Sequence, residues 1–155
     1  MQSNAATLPL PSLPLFLALF VVVWIFTCQV IGWASGWHAL SQRFTRQSEP
    51  YGDTRSAGPF FYGVYTRFKI HYSSVIRMTA SDNALYLSVL FLFRPGHPPL
   101  CIPWQEIELG RTRFFWGRYV ELTLGKEERI PMYISERMAA KLGILGRLPS
   151  DDFQG

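Results

Sequence analysis

The sequence predicts an α+β protein: an N-terminal transmembrane helix, then a small antiparallel β-barrel or roll capped by a C-terminal helix. Three observations carry that prediction. The chain has 155 residues, and none of its 15 basic and 11 acidic side chains precedes Arg43. Residues 13–33 form an uncharged apolar run. Beyond residue 60 apolar side chains tend to alternate, and from residue 134 they recur every third or fourth position. The charged fraction is 17%, below the roughly 25% of soluble domains. Its uneven distribution excludes a plain soluble protein and a disordered chain. With a single stretch long and apolar enough to cross, a multi-span membrane protein is excluded too.

Residues 1–12 are an uncharged tail in which Pro9 and Pro11 keep the chain extended. Residues 13–33 (LPLFLALFVVVWIFTCQVIGW) carry one strongly polar side chain, Gln29. At about 1.5 Å per residue, a helix of this length covers the roughly 30 Å hydrocarbon core. Pro14 suits the first helical turn, where its missing N–H costs nothing. Trp33 and Trp37 lie one turn apart, as interfacial anchors do. Trp37, Leu40 and Phe44 continue an apolar face, so the helix with its juxtamembrane extension is drawn over residues 13–44. A buried core helix competes, but so short a chain has little protein to surround one. A cleaved signal peptide competes as well. It calls for a basic lead-in and a shorter apolar core, and residues 1–12 hold no Lys or Arg, although Ala34-Ser35-Gly36 resembles a cleavage site.

Arg43, Arg46 and Arg55 follow the helix, and no basic residue precedes it. The positive-inside rule therefore predicts a single-pass protein of the cell (inner) membrane with its C-terminal domain in the cytoplasm. Cys28 falls in the bilayer and Cys101 in the domain, so they cannot pair. Cys28, Gly32 and Gly36 recur every fourth residue, a spacing that lets another helix approach closely. Glycine is also common in membrane helices for no such reason, and that plainer reading is the favoured one.

Residues 45–59 (TRQSEPYGDTRSAGP) read as a linker, and residues 60–147 as the β domain. Phe68, Ile70 and Tyr72, then Ile76 and Met78, share one strand face; Arg67, Lys69, His71 and Arg77 share the other. Ser81-Asp82-Asn83 supplies a turn. Residues 84–93 (ALYLSVLFLF) read as a central strand forming a hairpin with the previous one, with a re-entrant membrane segment as the competing reading. Residues 100–109 read as another strand, with Pro103 marking an edge or bulge. Residues 112–116, 118–124 and 128–134 follow, and Pro131 again indicates an edge or bulge. Ser135 is a good N-cap, and Ile134, Met138, Leu142 and Leu145 line one helical face that Gly143 and Gly146 bring to an end. Residues 148–155 are a tail.

This order of elements resembles a pleckstrin-homology-like barrel with its C-terminal helix. A membrane helix, a GW-x-x-L segment (residues 36–40) and then this β domain resemble small bacterial single-pass membrane proteins carrying PH-like domains. The segment HPPLCIPW at residues 97–104 is the most distinctive stretch in that resemblance. The resemblance implies a non-enzymatic binding or scaffolding module and supplies no catalytic residue set.

The residues agree. His38, His71 and His97 show no metal-ligand spacing with the two cysteines and read as ordinary surface or interface histidines. Glu106 and Glu108 share a strand face that alternation makes solvated, unlike a catalytic carboxylate pair. No nucleophile, phosphate-loop or dinucleotide motif occurs, and no cofactor is expected. Residues 43–94 hold seven basic and three acidic side chains, so the net charge of +4 lies in the membrane-proximal half. Arg67, Lys69, His71 and Arg77 are thus the candidate contact with anionic lipid headgroups or a protein partner, at about 1 kcal/mol per basic residue near a charged leaflet. The competing reading is a solubilising strand face. A sequence pI near 9.3 permits nucleic acid, but no such binding motif is present. The expected function is a membrane-anchored binding module. The alternative is an accessory subunit of a membrane complex, packed through Cys28, Gly32 and Gly36.

Overall fold

A computed structural model of the chain describes residues 12–45, 54–56, 63–66, 71–73, 75–114 and 117–148. The apolar run forms helix α1 (Ser12–Ala34). Within Leu13–Ala34 an 18-residue window reaches a mean hydropathy of 2.5, and only 11% of that window is buried. The helix does not run on to residue 44 as expected. Gly36 takes the left-handed conformation, φ 83°, and a second helix, α2 (Trp37–Phe44), starts beyond it. The apolar face read for this extension is correct: Trp37, Leu40 and Phe44 are all buried.

Nine strands follow among the described residues: β1 (Arg55–Ser56), β2 (Gly63–Tyr65), β3 (His71–Ser73), β4 (Ile76–Ala80), β5 (Ala84–Val89), β6 (Leu100–Pro103), β7 (Ile107–Phe114), β8 (Gly117–Leu124) and β9 (Ile130–Ser135). They form two antiparallel sheets, ordered β1-β4-β5-β6 and β3-β2-β9-β8-β7. Among the described residues there is no closed barrel. The chain changes sheet between β6 and β7 through a 3-10 turn at Trp104–Glu106. Pro103 leads into that turn without an N–H to extend the ladder. Residues 100–109, read as one strand, are therefore two, and β6 is a sheet edge as Pro103 indicated. The strand read through residues 67–78 is also shared between sheets, with β3 in one and β4 in the other. β1 falls within the stretch read as a linker and pairs with β4 through Arg55↔Ala80 and Ser56↔Thr79.

β4 and β5 form the expected hairpin, with Ile76 opposite Val89 and Ala80 opposite Leu85. Ser81 closes its turn, accepting from the Ala84 N–H and donating to the Ala84 carbonyl. Burial alternates as read: Ile76, Met78 and Ala80 face in, and Arg77 faces out. One apolar core joins both sheets, α2 and the C-terminal turn, with Met78, Leu87, Leu100, Ile102, Leu122, Met132 and Ile134 at its centre. The C-terminal helix α3 (Glu136–Lys141) is short. Ser135 caps it by accepting from the Met138 N–H at 3.3 Å, and Gly143 at φ 70° stops it. Met138, Ala139 and Leu142 are buried in the common core.

Candidate functional site

The hairpin of β4 and β5 has two ends, and each meets a different part of the molecule. At the open end, Leu90 donates its N–H to the Val75 carbonyl, and the chain then runs along α1 and α2 as residues 91–99. At the turn end, Ser81 and Asp82 border a cleft. The seam along the helices and the cleft are the candidate sites.

The seam is built on close backbone approach. A Cβ added to Gly32 would collide with the Gly96 carbonyl oxygen. Gly96, at φ 79°, has the Cα of Gln29 and the carbonyl of Cys28 within 3.0 Å of where its own Cβ would stand. Gly36 is packed just as tightly against the Ile130 side chain. Thus Gly32 and Gly36, read as a surface for another helix, receive this chain's own loop and β9. Cys28 is buried beside them. The next contact is polar. The Trp37 indole N–H donates to the Pro98 carbonyl at 2.8 Å, and the His97 ring meets the Trp37 ring edge-on at 5.4 Å.

His97 corrects the expectation of a surface histidine, being only 2% exposed. Its Nδ1 lies 3.1 Å from the Phe93 carbonyl and 3.3 Å from that of Pro95. Those acceptors place the ring proton on Nδ1. Burial lowers its pKa below the ordinary 6.5, against the smaller opposing pull of the two carbonyls. The distinctive segment 97–104 is therefore structural. Leu100 and Ile102 enter the core, and the Trp104 indole N–H donates to the Ser81 carbonyl at 2.7 Å.

The cleft has a volume of about 460 Å³ and is lined by Thr54, Arg55, Ser81, Asp82, Gly143 and Arg147, among others. Arg147 lies over the Trp104 ring at 4.7 Å and donates to the Asp82 carbonyl at 3.1 Å. The Arg55 guanidinium approaches Gly143. Two guanidinium groups, hydroxyls and a carboxylate are groups that bind polar ligands. The sequence reading missed this cleft, because its arginines are 92 positions apart.

Of the basic face, Arg67 and Lys69 lie outside the described residues, as does the His71 side chain. Arg77 is exposed on β4. Glu106 and Glu108 go to separate partners: Glu106 accepts from the Lys126 N–H at 3.1 Å, and Glu108 pairs with Arg129 at 3.5 Å. Arg43 of α2 reaches Glu127 at 3.1 Å and Glu128 at 3.3 Å, tying α2 to the turn between β8 and β9. Among the described residues, no three His, Cys, Asp or Glu side chains gather as a metal site would require. Compared with known proteins, the chain matches no family model, no curated protein and no solved structure.

Proposed function

We propose that the chain is a non-enzymatic, single-pass binding or scaffolding module held at the cytoplasmic face of the cell membrane by α1. One observation carries the reading. α1 is long and apolar enough to cross a bilayer and remains almost wholly uncovered, while its last turns are seated in the β module. A core helix of a soluble protein would be covered on all sides. A signal sequence would be dispensable to the fold, yet here Cys28 is buried and Gly32 is packed against Gly96. The module is then a fixed platform beside the membrane, with a pleckstrin-homology-like role as a ligand or partner receiver. Arg77 and the exposed Arg94 sit toward the open end of the β4–β5 hairpin, the end nearest α1, where anionic headgroups would meet them.

The alternative, an accessory subunit packed through α1, requires the helix face that the module leaves open, which carries Trp33, 75% exposed. Fractionation tests the anchor: the full chain stays in the membrane pellet through high salt and alkaline carbonate, and detergent releases it. Protease added to intact spheroplasts leaves the β module uncut. Recovery in the carbonate supernatant refutes the anchor, and cleavage from outside refutes the orientation. Co-purification of a stoichiometric membrane protein in mild detergent favours the subunit reading.

A further inference from the structure

Residues 84–93 read as one continuous strand, but β5 ends at Val89 and the chain turns outward. Leu90, Phe91 and Leu92 are 36%, 74% and 49% exposed, with Phe91–Phe93 forming a 3-10 turn. The turn lies against α1. The Trp24 indole N–H donates to the Leu92 carbonyl at 3.1 Å, and the Trp24 and Phe93 rings meet at 5.2 Å. An apolar groove of about 360 Å³, lined by Phe20, Val21, Trp24, Phe91, Leu92 and Pro95, runs between turn and helix.

We infer that the turn at residues 90–93 is inserted into the bilayer beside α1, with lipid acyl chains filling the groove. The inference rests on α1 crossing the membrane. Depth is the first argument. Trp24 stands nine residues before Trp33, about 14 Å along the helix at 1.5 Å per residue. With Trp33 at the interface, the Leu92 carbonyl is level with the hydrocarbon interior of a core roughly 30 Å thick.

Backbone satisfaction is the second argument. Lipid tolerates a non-helical turn only where its polar groups find partners within the protein. Phe93 donates to the Leu90 carbonyl, Arg94 to Phe91 and His97 to Arg94, and Trp24 donates to Leu92. Continuity is the third. The exposed Phe91 and Leu92 extend the uncovered apolar surface of Phe20 and Val21, and an apolar patch of that kind marks a contact surface. Arg94 follows at once, with a stem long enough to return its charge toward the headgroups.

The test uses the full chain in liposomes, in a Cys28→Ala, Cys101→Ser background. An environment-sensitive thiol probe is attached in turn at Phe91→Cys, Leu92→Cys, Phe16→Cys on α1 and Lys126→Cys on the distal β8–β9 turn. Nitroxide-labelled acyl chains should quench emission at Phe91 and Leu92 as strongly as at Phe16. Aqueous iodide should quench only at Lys126. Iodide quenching at Phe91 and Leu92 would place the turn in water, and quenching by neither reagent would place a second copy of the chain in the groove. Either result overturns the inference while Phe16 still reports an anchored helix. Loss of lipid quenching at Phe16 as well sinks the anchor itself, and the inference with it.

Discussion

His97 is one ring on which the two parts of the molecule converge, since it touches Trp37 from the helical arm and the carbonyls of its own loop. Burial lowers its pKa in the fold. A base with a depressed folded-state pKa takes up its proton first in the unfolded chain. Its contribution is therefore intact above the unfolded value near 6.5 and is lost as pH falls from there toward the folded value. The slope for a single group is at most about 1.4 kcal/mol per pH unit. We expect the urea midpoint of the full chain in detergent to drop on acidification from about pH 7.5 to about pH 5.5, and His97→Gln to flatten that drop. Equal drops in both chains would mean that other groups carry the acid sensitivity.

Between elements, the decisive contact is the pair of glycines where α1 meets the loop after β5. Gly32 has a backbone oxygen where a methyl would go, and a backbone cannot swing aside as a side chain can. Gly32→Ala should therefore destabilise by the roughly 1–3 kcal/mol typical of overpacking, read as a lower thermal midpoint in detergent with earlier proteolytic nicking near residue 96. An unchanged midpoint would show that the seam is loose. The sequence marked these glycines by their spacing, offering a second helix only as the less favoured reading, because spacing allows a close approach without showing what comes close. Elements governed by local chemistry were legible: the alternation of β4, the Ser81 turn, the Ser135 cap, and the 37, 40 and 44 face of α2. The end of β5 was not, because an apolar run reads the same whether it is buried in a core or left exposed. Nor was the burial of His97, which depends on Trp37 some 60 positions away.

At the scale of the molecule, the boundary between the apolar helix and the domain falls earlier than the polar stretch after residue 44 implies. Trp37 and Leu40 are each 1% exposed and Phe44 9%, inside the core shared by both sheets. Thr45 also bridges to Leu100. Fully burying such side chains stabilises by about 1.5–3 kcal/mol each, so the loss of all three is comparable with the roughly 5–15 kcal/mol total stability of a domain. Two truncated chains separate the possibilities. The chain of residues 36–155 retains α2 and the Trp37–His97 contact. It should melt cooperatively in mild detergent, with dispersed amide resonances. The chain of residues 46–155 keeps every strand but lacks Trp37, Leu40 and Phe44, so it should show no cooperative transition. If both melt at the same temperature, α2 only decorates the sheets. If only the longer chain folds, α2 and the sheets are one folding unit.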